Sequence, residues 1–493
     1  MTLAAAADLP RVRLHIGEKA LDLGSGGVFE HRNPATGQVQ ARIPLAGPSE
    51  IDAAATAADE AFMLWRKTPP ARRRDMLLRL AALVESNQAE LTRIAALENG
   101  APVRTGAGRA GIAREWLRYY ASWADKLDGT VNGSFMQGQD FTYSKPEPYG
   151  VIGVIVTWNV PLISLCMKVA PALAAGNTVV IKPSELTPFT AEIFTQLARQ
   201  AGIPAGVVNT LPGTAEAGNA LVVHPRVKKI TFTGGGATAR KIMAACADHL
   251  KPSVMELGGK SANIIFGDAN LDTAAREATL VGLGAMAGQA CVLGSRILVQ
   301  DSVYDAFLEK LVAATRALPF GDPSDPQTIF GPVINEAARE RILSVIAQAR
   351  QSDAGRLVTG GNRISGLPAA LAQGYFVEPT IFADVAADSD LAQQEVFGPV
   401  VSVIRFSTEE EAIALANGTR FGLAAYIHSS DISTVHRVAD QLDAGSVYVN
   451  GAWPVPAQSP FGGNRESGFG REGGKAGIEE FLRPKTVAIA RQH

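Results

Sequence analysis

The chain has 493 residues, 46% of them apolar and 19% charged, with a formal net charge of −2. This is the composition of an ordinary globular protein, long enough for about three domains of roughly 150 residues and able to bury sizeable cores without disulfide or metal staples. The near-neutral balance leaves no global electrostatic reason to expect nucleic acid or an anionic membrane as partner.

The opening residues, MTLAAAADLPRVR, carry no basic segment followed by a long apolar run, so no secretory leader is expected. After a short N-terminal strand region, residues 48–100 read as helices. PSEIDAAATAADEAFMLW starts at Pro48 and Ser49 and keeps apolar residues at helical spacing. ARRRDMLLRLAALVESNQAELTRIAALENG repeats the pattern and ends at Gly100, a suitable C-cap. A further helix is expected over about 107–125. Residues 129–148 change character. The Asn132-Gly133 turn among strand formers suggests a hairpin or extended arm, and a plain surface loop suits the pattern equally.

From Val151 strands and helices alternate. VIGVIV (151–156) precedes a helix from Pro161, and TVVIK (178–182) precedes one over Thr187 to Gln200. VVNTL (207–211) precedes a helix from Ala215, and KKITF (228–232) precedes one over Ala237 to Leu250. This rhythm predicts a doubly wound parallel sheet, whose ligands bind at the carboxyl ends of the strands. A second series follows: SANIIFG, a helix over 271–287, SRILVQ and a helix near 303–317. After the turn-rich link GDPSDPQTIFGP (321–332) it resumes through VVSVIRF, a helix over about 409–416, and GSVYVN (445–450). No stretch reaches about 18 uninterrupted apolar residues, so no membrane span is expected. Cys166, Cys246 and Cys291 are odd in number and far apart, which argues against disulfides and zinc and fits a reducing cytosol, hence a cytoplasmic protein. The histidines show no HxxH or HxxxH pairing, and no metal site is expected.

The chemistry is expected at the strand ends. Lys182 ends its strand three residues before Glu185. The ammonium can bond ribose hydroxyls or phosphate, and the carboxylate disfavours a 2′-phosphate. A solvated pair capping a helix has the same spacing. Gly234, Gly235 and Gly236 precede a helix, where bare amides suit phosphate, although a tight turn needs the same residues. Asn159, in WNVP, could donate to an oxyanion or merely satisfy a turn. Glu256 precedes a double glycine and could serve as a general base, or be structural. Cys291 lies in MAGQACVLGSR; a free cysteine is most often core, but Gly288 and Gln289 beside it are unlike core filler.

In this order, WNVP, KPSELTP, PAGVVNTLPG (204–213), FTG (232–234), ELGGKS, GQAC, GDPSDPQT, EVFGPV (395–400) and PFGGNRESGFGRE (460–472) resemble the aldehyde dehydrogenase superfamily from about residue 29 to 485. The resemblance implies an α/β fold: a Rossmann-like cofactor domain (1–128 and 149–258), a second α/β catalytic domain (259–465), and a small β oligomerisation arm with the C-terminal strand (129–148 and 466–493). It implies Cys291 as nucleophile, Glu256 as base, Asn159 as oxyanion donor and Lys168 in the supporting network. Cofactor contacts would come from Trp158, Lys182, Ser184, Glu185, Gly234, Gly235, Leu257, Glu395 and Phe397. The aldehyde tunnel would be Val160, Met167, Val292, Ala452, Trp453 and Val455, an apolar set suited to a medium-chain aliphatic or aromatic aldehyde. The implied cofactor is NAD, with NADP accepted by some members. The implied assembly is a homodimer or dimer of dimers, with the arm and the C-terminal strand pairing between subunits.

Four positions depart from the family pattern: Thr157 for a common proline, Met286 for the asparagine five residues before the nucleophile, Gly235 for a serine, and Ala239 for a glycine. Three other readings stay open: an NADP-preferring semialdehyde dehydrogenase, a coenzyme A-acylating relative, and a non-enzymatic homologue. Glu256 argues against acylation, Glu185 against strong NADP preference, and retention of both Cys291 and Glu256 against the last.

Overall fold

The computed structural model describes residues 9–133, 139–352, 354–452 and 455–490. Two large sheets organise it. The first runs Lys19–Leu21, Leu14–Ile16, Val208–Thr210, Thr178–Lys182, Val151–Ile155, Val227–Thr233, Ser253–Glu256, Gly468–Phe469. Its five central strands are parallel, and its outer strands are antiparallel additions. Strand alternation explains why these segments are apolar throughout. Ile152, Val154, Val179 and Ile181 face the core built with Pro161–Ala174 and Pro188–Gln200. Val151, Ile155 and Val180 face the opposite core, with Pro48–Trp65, Ala215–Val223 and Gly236–Asp248.

The second sheet runs Arg356–Thr359, Thr380–Ala383, Val400–Phe406, Arg296–Gln300, Ala262–Ile265, Ala424–His428, Ser446–Val449, all parallel except its first strand. It too is covered on both faces. Reading the chain alone passed over the helices Glu336–Gln351 and Ile432–Gln441 and the strand Ala424–His428. Among the described residues no helix is long and apolar enough to cross a membrane.

Two expectations change. The helix expected over 271–287 ends at Thr279, passes through a π-helical turn, Leu280–Gly284, and tightens into Ala285–Gly288. Met286 and Ala287 there have φ of 53° and 51°. Three glycines within seven residues weaken helix continuation, and Gly288 (φ 72°) is pressed so closely on the Gly398 carbonyl that a Cβ would sit 2.2 Å from it. The helix expected over about 107–125 is present as Arg109–Ala121, with a separate short helix, Val103–Gly106, before it. The arm strand Gln139–Pro148 pairs antiparallel with Leu482–Ala490 of the same chain, together with Thr130–Asn132. These two strands therefore meet within one chain along one edge of each, and Leu482–Ala490 is an edge strand of the sheet, its outer side without a partner strand among the described residues.

Candidate active site

Parallel strands in register bring their carboxyl ends to one edge. Ile155 is paired with both Lys182 and Phe232, and Thr233 with Glu256. Along that edge opens a cleft of about 750 Å³. Trp158, Lys182, Ser184, Glu185, Gly234, Gly235, Leu257, Glu395 and Phe397 all line it, with Asn159 and Cys291 at one end. Residues as far apart in sequence as Ile155 and Phe397 thus share one wall.

At the far end Lys182 Nζ donates to the Gly213 carbonyl (2.5 Å) and the Pro183 carbonyl (3.2 Å), and stands 3.9 Å from Glu185. Burial lowers the pKa of Lys182, and Glu185 opposes that shift. Gly235 is the N-cap of Gly236–Asp248, and nothing within 4 Å crowds its missing side chain. Exposed amides at a helix N-terminus favour phosphate, so backbone serves where the family pattern has a serine hydroxyl. Toward Cys291, the Trp158 and Phe397 rings meet edge-on, 5.5 Å apart at 87°. Phe397 has φ 48°, a costly backbone for an aromatic residue, and Arg341 holds it by donating to the carbonyls of Val396 (2.6 Å) and Phe397 (3.4 Å). Glu395 accepts from the Gly259 amide (3.0 Å), and burial pushes its pKa up to about 7. The double glycine of ELGGK is required by close approach: a Cβ on Gly258 would lie 2.0 Å from Glu395 Oε2, and one on Gly259 would lie 2.7 Å from the Cys291 carbonyl. The Lys182–Glu185 pair, a helix N-terminus and an apolar slot with a carboxylate share one cleft, and their chemistry suits a nicotinamide dinucleotide.

Cys291 is half-buried and opens on the cleft. Burial, then the nearby Glu256 and Glu395 carboxylates, push its thiol far above the ordinary range. Asn159 is buried; its amide donates to the Gln289 carbonyl at 2.9 Å, and Asn99 fixes the turn by donating to the carbonyls of Trp158 and Asn159, each at 3.1 Å. Glu256 is buried, and neither of its oxygens has a hydrogen-bond partner of good geometry among the described residues, although the Gly463 amide lies near. Its pKa is raised well above 4.5, first by burial and then by Glu472, with Lys168 opposing. Lys168 Nζ donates to Thr231 Oγ1 (2.9 Å) and forms a buried ion pair with Glu472.

Glu472 and Arg341 are the residues that sequence reasoning missed. Glu472 closes the quoted string 460–472, which was the available signal; Arg341 sits on the helix that was not read. The Met286 departure has a local answer. Gln289 Nε2 donates to the Met286 carbonyl (2.8 Å), and Gln289 Oε1 accepts from the Ile334 amide (3.0 Å). The loop before Cys291 is thus tied through backbone at position 286, whatever its side chain. Of the expected tunnel residues, Met167 belongs to the large core of the first domain, and Val292 and Val455, like Cys291, pack against that core; none of the three lines the cleft. Val160 caps Pro161–Ala174, next to Asn159. Ala452 lines a different cavity, and Trp453 lies outside the described residues.

The model of the aldehyde dehydrogenase family matches residues 23–487. An aldehyde dehydrogenase of Alternaria alternata is 40% identical, covering 96% of this chain and 93% of its own. Among solved structures, PnpE in complex with nicotinamide adenine dinucleotide superposes with a TM-score of 0.94 at 38% identity, over 98% of each chain. An E. coli NADP-dependent enzyme gives 0.94 at 36% identity, over 99% of this chain and 100% of its own.

Proposed function

The chain belongs to the aldehyde dehydrogenase family and is an NAD(P)-dependent aldehyde-oxidising enzyme; from that premise we propose that Cys291 is its nucleophile and Glu256 its base. The supporting observation is a half-buried cysteine opening on the cleft, with a buried carboxylate close enough to oppose its ionisation and, among the described residues, approached only by the Gly463 amide.

As Cys291 Sγ bonds to the aldehyde carbon, Glu256 receives the thiol proton, which burial makes costly to release otherwise. The carbonyl oxygen becomes an oxyanion, stabilised by the Asn159 amide and the Cys291 backbone N–H. Bound NAD supplies the acceptor for the hydride that leaves the tetrahedral carbon. The product on Cys291 is a thioester. Glu256, after passing its proton toward the Lys168–Glu472 pair, takes a proton from water as that water attacks the acyl carbon. Cys291 leaves and is reprotonated, and a carboxylic acid departs. The presence of Glu256 favours hydrolysis over acyl transfer to coenzyme A, and Glu185 beside Lys182 favours NAD over NADP.

The apolar character of Met167, Val292 and Val455, which share a core with Cys291, supports a medium-chain aliphatic or aromatic aldehyde. Initial rates across an aldehyde panel check this; a short acidic semialdehyde as the best substrate would overturn it. Cys291→Ala is expected to abolish oxidation, and undiminished turnover would refute the nucleophile. The three-stranded arm exposes Val131, Phe141 and Ile489, apolar surface suited to a second copy. We infer a homodimer or dimer of dimers, testable by light scattering.

A further inference from the structure

The cleft along the first sheet is lined by three cations, Lys182, Lys241 and Arg341, and two carboxylates, Glu185 and Glu395. Lys182 is engaged: its ammonium donates to two carbonyls and stands 3.9 Å from Glu185. Arg341 is engaged as well, donating to the carbonyls of Val396 and Phe397 and drawn to the Glu395 carboxylate. Lys241 is exposed and has no hydrogen-bond or ion-pair partner among the described residues. Of the charges on this lining, it is the one left uncommitted.

Lys241 belongs to the helix Gly236–Asp248. Thr238, Lys241, Ile242 and Ala245 recur at helical spacing and all line the cleft, so they form one face of that helix. The neighbouring helix Ala215–Val223 adds Gly218 and Val222 to the same lining. Val222, Ile242 and Ala245 give apolar surface suited to a flat base. A helical side chain leans toward the N-terminus of its own helix. Lys241 stands about 9 Å along the axis from the N-cap Gly235, and its four-carbon stem shortens that gap. Arg240 beside it takes this course, its guanidinium coming 3.4 Å from where a Cβ on Gly236 would sit. Arg240, however, is bound to Glu466 at 2.7 Å and does not line the cleft.

The helix N-terminus itself offers backbone amides, because Gly235 carries no hydroxyl and leaves open space. Those amides are equivalent to about half a positive charge, whereas each phosphate of a pyrophosphate carries a full negative one. We propose that the Lys241 ammonium binds a phosphate oxygen of the dinucleotide and supplies the charge that the amides lack. The phosphate is either the pyrophosphate common to NAD and NADP or the 2′-phosphate of NADP alone. The inference rests on the reading of this cleft as the cofactor site.

The test is calorimetric titration of NAD and of NADP into full-length enzyme without aldehyde, where nothing turns over. Lys241→Met keeps an unbranched stem and removes the charge. It should weaken binding about fivefold at low salt, the upper range for an exposed charge pair. The difference should shrink toward none in about 0.5 M NaCl, as screening shortens the reach of the charge. Lys241→Arg should bind as the wild type does, and Lys241→Gln carries the measurement if Lys241→Met fails to fold. Equal losses for the two cofactors identify the pyrophosphate; a loss confined to NADP identifies the 2′-phosphate. Unchanged affinity for every dinucleotide that the wild type binds, or a loss that salt leaves unaltered, overturns the role of Lys241 and leaves the cleft as the cofactor site. A wild type that binds neither dinucleotide refutes that reading of the cleft, and this inference with it.

Discussion

Asn159 donates its side-chain amide to the carbonyl of Gln289, two residues ahead of Cys291, at 2.9 Å. The bond ties a turn at the edge of the first sheet to the loop that carries the proposed nucleophile, which belongs to the second series of strands. One N–H of the amide is thereby fixed, and the direction of the other is fixed with it. A donor held in place before reaction costs no reorganisation when charge develops.

Replacing Asn159 with Ala should therefore lower kcat by about 10²–10³-fold, the usual effect of losing one oxyanion donor, while KM changes little. Steady-state kinetics with one aldehyde at saturating NAD measures this. A loss below tenfold would leave the Cys291 backbone amide as a sufficient donor alone.

The pH dependence follows from Glu256. Its raised pKa means that the base form is lost while pH is still above the usual carboxylate range, so thioester hydrolysis should fall as pH drops through that raised value. Glu472 contributes to the rise by like charge, so Glu472→Gln should move the acidic limb to lower pH. Removing the Lys168 charge should move it to higher pH. Single-turnover acid release between pH 5 and pH 9 distinguishes these directions; a limb unmoved in both variants would separate Glu256 from the pair.

Lys168→Met leaves Glu472 buried and unpaired. Breaking one side of a buried ion pair typically costs about 3–5 kcal/mol, and denaturant unfolding should show a loss of that order. Adding Glu472→Leu to the same chain should restore most of it. A single variant as stable as the parent would mean that the carboxyl takes up a proton without penalty.

Glu185→Ser should relax the cofactor preference. A like charge set against a phosphate costs several kcal/mol, so even partial relief should raise kcat/KM for NADP by roughly tenfold, with a smaller effect on NAD. Paired initial-rate measurements with the two cofactors decide it; an unchanged ratio would place discrimination elsewhere along the cleft.

Much of this arrangement was legible along the chain because local patterns report local structure. VIGVIV, TVVIK and KKITF are strands in the fold, and each leads into a residue of the cleft. The helix expected to run to residue 287 was misread because the apolar residues of LVGLGAMAG keep helical spacing, while the approach of Gly398, more than a hundred residues on, sets the backbone at Gly288. Arm pairing was misread for a similar reason: a strand pattern gives extension and not the identity of the partner strand.

What the sequence by itself determined is the inventory of reactive groups and the order in which short stretches deliver them: an amide at 159, a carboxylate at 256, a thiol at 291, each just past or near a strand end. Only the tertiary structure decided their electrostatics. Lys168 and Glu472 are 304 residues apart, yet their contact behind Glu256 helps set its proton affinity. Charge–charge energies depend on distance in space and on how much water has been excluded between the groups. Both are fixed by the packing of segments that carry no local record of one another.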